Sequence, residues 1–232
     1  MTSSFVDFFV ESAPALFEGL QITLFLTFIS LALGFALGII LALSRVYGSK
    51  PLSWIASGYI EIIRGTPLLV QLFIFYYGLS SIGFHIDPVL AALLGLSLNS
   101  AAYQAEYVRG SIQSIPSGQM IAARSMGMNR MQSISTIILP QALRVSIPAW
   151  SNELIYLLKY SSLAYIIRVV ELTAAGKFIA AETFRHIEVF LMIALIYVAL
   201  TVVFTEILDR FEERISIPGL GMRKKSAQRT IT

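Results

Sequence analysis

Residues 19–44 read GLQITLFLTFISLALGFALGIILALS and contain no Asp, Glu, Lys or Arg. These 26 residues would extend about 39 Å as an α-helix, because each residue adds about 1.5 Å. The hydrocarbon core of a bilayer is about 30 Å thick, so a helix of this length can cross it with some tilt. The segment therefore predicts a membrane-spanning helix and an all-α membrane protein.

The composition of the whole chain agrees with a membrane location. Of its 232 residues, 56% are hydrophobic and only 13% are charged, and the mean hydropathy is +0.74. A soluble domain of this length would need more charge to cover its surface. The absence of cysteine excludes disulfides, thiolate metal sites and a thiol nucleophile. Only His85 and His186 are present, so no histidine metal site is expected.

Four further stretches extend the prediction to five spans in one domain that occupies residues 1–232. The additional spans are predicted at about 65–86, 88–108, 139–167 and 188–208. The fourth span of the chain is irregular, because it contains Pro140, Pro148, Glu153 and Lys159. Its strongly apolar parts, 154–158 and 163–167, still favour a membrane-embedded segment.

Basic residues predict the orientation, because Lys and Arg concentrate on the cytoplasmic side. The first 18 residues contain three acidic and no basic residues, which is not the pattern of a cleaved secretory signal. With the N-terminus outside and the C-terminus inside, 13 of the 17 Lys and Arg residues face the cytoplasm. These are Arg45, Lys50, Arg64, Arg109, Arg124, Arg130, Arg144, Arg210, Arg214, Arg223, Lys224, Lys225 and Arg229. We therefore expect this orientation.

The predicted cytoplasmic loop, residues 113–138, has an unusual distribution of small side chains. Pro116 and Gly118 interrupt the preceding helix, and a short helix is predicted at about 119–126. Gly127 suits the position that ends this helix. Ala122, Ala123 and Gly127 leave one side nearly without side chains, so another backbone can approach closely. The pattern predicts a helix that docks into a protein partner.

The spacing of this loop resembles that of a known family. Ala122-Ala123, three residues, Gly127, nine residues and then 137–140 (Ile-Ile-Leu-Pro) is similar to the EAA loop of ABC importer permeases. In that family the loop forms a coupling helix in a cleft of the ATP-hydrolysing subunit. Ile121 stands where the family has a leading Glu, so a polar contact from that position is not expected. The resemblance implies the following coupling residues: Ile121, Ala122, Ala123, Arg124, Gly127, Leu139 and Pro140.

Three other motifs resemble the polar amino acid branch of these permeases, the histidine, arginine and glutamine type. They are RGTPLLVQ at 64–71, EYVRG at 106–110, and NELI with KYSSL at 152–155 and 159–163. The resemblance implies the transmembrane domain of a type I ABC importer in the inner membrane of a prokaryote. It also implies an amino acid substrate, an extracytoplasmic binding protein, two ATPase subunits and a second permease chain, either an identical copy or a sister permease.

ATP and Mg²⁺ would belong to the ATPase partner. No phosphate-binding loop is present in this chain. We therefore expect no enzymatic activity, no catalytic or metal-binding residue, no bound cofactor and no nucleic acid partner.

Glu153 is the first candidate for substrate contact. A carboxylate near the centre of a span costs about 2.5–3.5 kcal/mol on insertion scales, so it should be paired or face water. It could attract the ammonium group or cationic side chain of an amino acid. It could instead form a structural salt bridge with Lys159, although a spacing of six residues makes a pair on one helix awkward. Both interpretations remain open.

Polar residues on the third span are further candidates. Asn99, Tyr103 and Tyr107 recur every four residues, with Ser97 and Ser100 nearby. They could line a pathway opposite Glu153, or they could form interhelical hydrogen bonds worth about 0.6 kcal/mol each. The second interpretation is favoured for Tyr107. The predicted substrate-binding residues are therefore Glu153, Asn152, Asn99 and Tyr103.

Two other functions compete with an importer subunit. A stand-alone secondary transporter or channel could use Glu153 and Lys159 as an ion relay, but no internal repeat of the kind common in secondary transporters is present. A membrane-embedded hydrolase would need a catalytic motif, and the chain contains neither His-Glu-x-x-His nor Gly-x-Ser-x-Gly.

Overall fold

The computed structural model describes residues 5–215, and within that range the chain contains helices and no strands. The eight α-helices are α1 (Phe5–Tyr47), α2 (Lys50–Gly65), α3 (Leu68–Ser81), α4 (Pro88–Ser114), α5 (Ser117–Ser125), α6 (130–160), α7 (Leu172–Thr183) and α8 (His186–Ile215). A 3₁₀-helix, Ser161–Ile167, joins α6 to α7. The prediction of an all-helical fold is confirmed, and the basic tail beyond residue 215 lies outside the described residues.

Among the described residues, α1 and α8 are each long and apolar enough to cross a membrane. The pair formed by α2 and α3 passes the same test as one broken segment, in which the two helices meet at 104°. The first predicted span, 19–44, lies entirely within the 43-residue helix α1. By length and composition, the structure thus contains two membrane-crossing helices, or three when the bent pair counts as one.

The bend between α2 and α3 follows from a proline. Pro67 has no N–H group, and its ring disfavours helical backbone at the preceding residue. Thr66 accordingly has an extended conformation (φ −114°, ψ 140°). Residues 45–64 lie between the first two predicted spans, and most of them form the amphipathic helix α2. Its buried side carries Ala56 and Ile60.

Helix α4 lies at the centre of the bundle and packs closely against α1. Two glycines of α1 make this approach possible. A Cβ atom at Gly34 would lie 2.9 Å from Gln104 Nε2, and one at Gly38 would lie 3.0 Å from Gln104 Cβ. The Gly-x-x-x-Gly pair therefore packs two helices within one chain.

Helix α6 is continuous but contains one wide turn. It begins with a capping box in which Asn129 and Gln132 exchange side chain to backbone hydrogen bonds. Residues Ile134–Ile138 form a π-helical turn directly before Pro140. Proline cannot donate to the preceding turn and crowds its carbonyl groups, and such wide turns relieve that conflict. The irregular fourth predicted span, 139–167, thus corresponds to most of α6 and the 3₁₀-helix.

A fully buried carboxylate fixes α7. Glu171 precedes this helix and accepts hydrogen bonds from the backbone N–H groups of Thr173 and Ala174, both at 2.9 Å. The hydroxyl of Tyr197 on α8 donates to it at 3.1 Å, and that of Thr23 on α1 donates at 3.4 Å. Glu171 therefore caps α7 and ties it to two long helices.

Candidate functional site

Glu153 of α6 is buried against α4. Its side chain accepts hydrogen bonds from the Ser100 hydroxyl at 2.7 Å and the Tyr107 hydroxyl at 3.2 Å, one on each oxygen. Gln104 Nε2 in turn donates to Ser100 Oγ at 2.8 Å. The residue is only 5% exposed, and both of its hydrogen-bond donors are neutral hydroxyl groups. The carboxyl group is thus positioned by hydroxyls without a cation at hydrogen-bond distance in the described part of the chain.

Lys159 does not neutralise Glu153. Its ammonium group lies over the ring of Tyr156, 5.1 Å from the centroid, and no ion pair joins it to Glu153 in residues 5–215. The salt bridge considered from the sequence is therefore not formed. The ion relay of a secondary transporter also lacks a direct contact between these two residues.

Asn99 supports the bend between α2 and α3. Its side-chain amide donates to Gln71 Oε1 at 3.1 Å. Gln71 Nε2 donates to the carbonyl oxygens of Ile63 at 2.8 Å and Thr66 at 3.0 Å, at the break between the two helices. Carbonyl groups at the end of a helix lack the partners of its interior, and a side-chain donor can satisfy them. Gln71 is the last residue of the RGTPLLVQ motif, but the sequence alone assigned it no role.

The other two predicted substrate residues lie at the surface of the single chain. The Arg64 guanidinium lies over the Tyr103 ring, with its Cζ 5.2 Å from the ring centroid. Asn152 is exposed and donates to the carbonyl of Pro148 at 3.0 Å. Asn152 and Glu153 are adjacent in sequence, but only Glu153 is buried.

A polar face runs along α4 and α6 beside Glu153 and includes one residue at the end of α2. We define it by Arg64, Tyr103, Tyr107, Asn152 and Tyr156, each exposed or partly exposed in the single chain. Tyr103 and Tyr107 are one turn apart on α4, and Asn152 and Tyr156 are one turn apart on α6, so each pair shares a side of its helix. Polar side chains at membrane depth face a protein interior or water rather than lipid. This face is therefore suited to line a pathway or to contact a second chain.

Two sequence motifs meet at one end of the bundle in an ionic cluster around Glu106. Arg45 of α1 and Arg109 of α4 both form hydrogen-bonded ion pairs with Glu106, and Arg109 Nη2 lies 2.7 Å from Oε2. Arg64 Nη1 is farther away, at 3.7 Å. We call this end of the molecule the arginine end.

Helix α5 also lies at the arginine end. It ends in a Schellman motif, in which Met128 N donates to the Ala123 carbonyl at 3.2 Å and Gly127 N donates to the Arg124 carbonyl at 3.1 Å. Gly127 has a φ of +87°, a left-handed conformation that favours glycine. The predicted short helix and its terminating glycine are thus present in the structure.

The side chains of α5 are divided between the bundle and the surface. Ala123 is buried, whereas Ile121 is 65% and Met126 is 79% exposed. The small side chains Ala122 and Ala123 therefore do not form one bare surface, because Ala123 packs inward. Beside α5, a cavity of about 390 Å³ is lined by Tyr47, Met120, Arg124 and Arg130.

The remaining predicted coupling residues lie on the next helix. Leu139 and Pro140 follow the π-helical turn of α6. No group of three or more His, Cys, Asp or Glu side chains that could hold a metal ion occurs in residues 5–215.

Sequence reasoning missed Gln104 and gave Ser100 no specific role. Their spacing contains a usable signal, because Ser100, Gln104 and Tyr107 lie at positions i, i+4 and i+7 of one helix and share a face. A polar stripe of this kind on a buried helix indicates a polar partner on the neighbouring helix. Here that partner is Glu153.

Comparison with known proteins places this geometry in a family. The chain is 40% identical over 208 residues to the nopaline transport system permease protein NocM of Agrobacterium fabrum (strain C58 / ATCC 33970), covering 85% of this chain and 86% of that protein. It is 37% identical over 206 residues to the glutamine transport system permease protein GlnP of Escherichia coli (strain K12), covering 88% and 94%.

Solved structures agree. An amino acid ABC transporter crystallised with histidines superposes with a TM-score of 0.85 at 40% identity, covering 92% of this chain and all of that chain. The methionine transporter MetNI in an inward-facing form has a TM-score of 0.70 at 23% identity, covering 94% of this chain and all of that one, and shows a shared fold. The fold is that of a type I ABC importer permease. Residues 34–217 match the family described as binding-protein-dependent transport system inner membrane component, and the chain belongs to that family.

Proposed function

We propose that this chain forms the translocation pathway of an ATP-driven amino acid importer that receives its substrate from an extracytoplasmic binding protein. The observation that carries the proposal is helix α5, which exposes Ile121 and Met126 at the arginine end of the bundle. Exposed apolar side chains bordered by basic residues suit a protein partner. A separate ATPase subunit would bind this surface. Family membership and relatives that transport nopaline and glutamine support the choice of an amino acid.

Five spans would cross the inner membrane of a prokaryote. They are α1, the bent pair of α2 and α3, α4, α6 together with the 3₁₀-helix, and α8. An N-terminus outside places Arg45, Arg109 and Arg124 in the cytoplasm, as the distribution of basic residues favours. It also places α5 on the side where ATP is available, with α7 on the outer side.

Motion would pass from the ATPase to the pathway through α6. This helix runs without a break from residue 130 to residue 160, so it joins the region of Leu139 and Pro140 to Glu153. We propose that ATP binding moves Ile121, Ala122, Arg124 and Gly127 together with the partner. Ala123, which packs inward, would transfer the displacement to the bundle. ATP and Mg²⁺ would be held by two ATPase subunits and not by this chain.

The pathway would lie along the polar face. Glu153 would bind the ammonium group or the cationic side chain of the amino acid, with Asn152 and Tyr103 nearby and Asn99 supporting the wall. Because these polar side chains cannot face lipid, we propose that a second permease chain packs against this side. That chain would be an identical copy or a sister permease.

A transport assay tests the proposal. The chain would be tagged, purified from its native membrane with its bound subunits, and reconstituted with the binding protein in vesicles. We expect uptake of a radiolabelled amino acid only when ATP is present on the side of the arginine end and the binding protein is on the other side. Ion-driven uptake by the purified chain alone would instead establish a secondary transporter.

A further inference from the structure

The cavity beside α5 has a basic lining that comes from three helices. Tyr47 is the last residue of α1, and Arg130 is the first residue of α6. Met120 and Arg124 belong to α5. Among the described residues, no Asp or Glu lines this cavity of about 390 Å³. Its lining therefore has two positive charges and no negative one.

Neither of these two charges is neutralised within residues 5–215. The arginines that form ion pairs in this range are Arg45, Arg64, Arg109 and Arg185. The Arg130 guanidinium lies over the ring of Tyr47 instead, with its Cζ 5.6 Å from the centroid. A contact with the face of a ring orients a guanidinium and leaves its N–H groups free to donate. The cavity is thus suited to an anion with several acceptor oxygens.

The cavity lies at the level expected for lipid headgroups. Tyr47 ends α1, which is long and apolar enough to cross a membrane. The hydroxyl of Ser53 on α2 donates to the Arg45 carbonyl at 3.0 Å, so the next residue, Trp54, lies beside the end of α1. Trp54 is 76% exposed, and exposed tryptophan in membrane proteins concentrates at the interface between lipid and water.

We propose that this cavity binds the headgroup of an anionic phospholipid from the cytoplasmic leaflet. The inference rests on the proposed function, in which the arginine end faces the cytoplasm, and adds a lipid as a further partner. Arg124 and Arg130 bind the phosphate oxygens, to which guanidinium groups donate in a bidentate geometry. Met120 and Tyr47 contact the glycerol and the first methylene groups. Basic pockets between helices on the cytoplasmic side favour such headgroups.

A lipid in the cavity would leave the other side of α5 free. Met120 and Arg124 are four residues apart and therefore share a side of this helix. Ala122, two residues from each, lies on the opposite side and is exposed. The lipid would thus hold one side of α5 against α1 and α6, while the ATPase subunit binds the other.

Lipid binding to the purified importer complex, with its ATPase subunits bound and its native lipid removed, tests the site. The probes are phosphatidylglycerol, which is anionic, and phosphatidylcholine, which has no net charge. Both have the same acyl chains and are added in detergent. We expect phosphatidylglycerol to bind at least about tenfold more tightly, because two basic residues act on its charge. Equal affinities would overturn the proposal.

Soluble phosphates distinguish a lipid from a free anion. Inorganic phosphate and glycerol 1-phosphate carry the same chemical group without acyl chains. Neither should displace phosphatidylglycerol when added at the same concentration, because only the lipid also packs against the apolar surface of the bundle. Displacement by either compound would assign the cavity to a free phosphate group, and the lipid site would be wrong.

Variants separate this cavity from a general attraction by positive charge. Arg130→Gln should weaken phosphatidylglycerol binding by at least about fivefold and leave phosphatidylcholine unchanged, and Arg130→Lys should keep most of the preference. Arg124→Gln should cause a similar loss, so the test does not depend on the folding of one variant. Arg144→Gln is the matched control, because Arg144 is an exposed arginine of α6 that does not line the cavity. An equal loss in Arg144→Gln would overturn the site.

An acidic side chain of the ATPase in the cavity would give a different result. The intact complex would then show no preference for phosphatidylglycerol, and Arg130→Gln would release the ATPase subunits, which would overturn the lipid site. The proposed function fails separately. If the unaltered complex carried out no ATP-dependent uptake of any amino acid, the importer assignment would be wrong whatever lipid it bound. Uptake by a complex without a lipid preference would refute the lipid site alone.

Discussion

The Ser100 hydroxyl on α4 donates a 2.7 Å hydrogen bond to the Glu153 carboxyl group on α6. Ser100 is itself oriented by Gln104, whose amide donates to its oxygen at 2.8 Å. The same serine lies against α1, because a Cβ atom at Gly34 would meet Ser100 Cβ at 2.9 Å. The position of the candidate substrate group therefore depends on the packing of three helices.

Replacing Ser100 with alanine should destabilise the permease by about 1 to 2 kcal/mol, because it removes one of two hydrogen bonds to a buried carboxyl group. Ser97→Ala is the matched control. Ser97 is also a buried serine of α4, but its hydroxyl has no hydrogen-bond partner, so its removal should be neutral or stabilising. Thermal unfolding of the two purified variants measures the difference. Equal melting temperatures would show that the bond from Ser100 contributes nothing to stability.

Gln71→Leu should destabilise the bend between α2 and α3. The leucine has a similar size but cannot donate to the carbonyl groups of Ile63 and Thr66, and each lost hydrogen bond costs about 0.5–1.5 kcal/mol. Asn99→Leu should cost less, because it removes only the bond to Gln71 Oε1. In a double-mutant cycle of unfolding free energies the two changes should be non-additive by at least about 0.5 kcal/mol. Additive effects would contradict the contact between these residues.

Gly34→Ala should separate α1 from α4. The added Cβ would lie 2.9 Å from Gln104 Nε2 and from Ser100 Cβ, and such overpacking typically costs about 1–3 kcal/mol. We expect lower thermal stability together with weaker binding of the amino acid substrate, since Ser100 positions Glu153. Gly58→Ala in α2 is the control, because a Cβ there meets no atom within 4 Å and alanine favours the helix by up to about 1 kcal/mol. A loss of stability in Gly58→Ala as large as that in Gly34→Ala would argue against this packing explanation.

The sequence predicted α5 and its end well, because local chemistry determines both. Pro116 and Gly118 begin a new helix, and Gly127 supplies the left-handed residue that closes it. The sequence also identified Glu153, because a carboxyl group in an apolar segment is unusual whatever its partners are.

Tertiary contacts explain what the sequence did not predict. Helix α2 contains Lys50, Glu61 and Arg64, and because of these charges its hydropathy did not predict a membrane span. Its apolar side becomes evident only when Ala56 and Ile60 pack against the bundle. The partner of Asn99 is Gln71, which is distant in sequence. The partner of Lys159 is Tyr156 on the same helix, and this contact depends on the orientation of the lysine side chain. Ala123 is buried and Ala122 is exposed because only one side of α5 packs against the bundle.

Gly127 offers a test of coupling that does not depend on the substrate. Its φ of +87° is unfavourable for any residue with a Cβ atom, by about 1–2 kcal/mol. A Cβ at this position would meet no atom within 4 Å, so the effect of Gly127→Ala would come from the backbone alone. We expect the variant to insert normally, to lose the Schellman end of α5, and to hydrolyse ATP in complex with the ATPase without a proportional rate of uptake.

Gly118→Ala is the appropriate control for this prediction. Gly118 lies in the first turn of α5, has no positive φ, and also has open space around its Cβ position. Alanine there should leave uptake unchanged, because it adds the same methyl group to the same helix without backbone strain. The measurement is the number of amino acid molecules imported for each ATP hydrolysed. A ratio in Gly127→Ala equal to that in Gly118→Ala would show that the left-handed residue is not needed to transmit the motion of the ATPase.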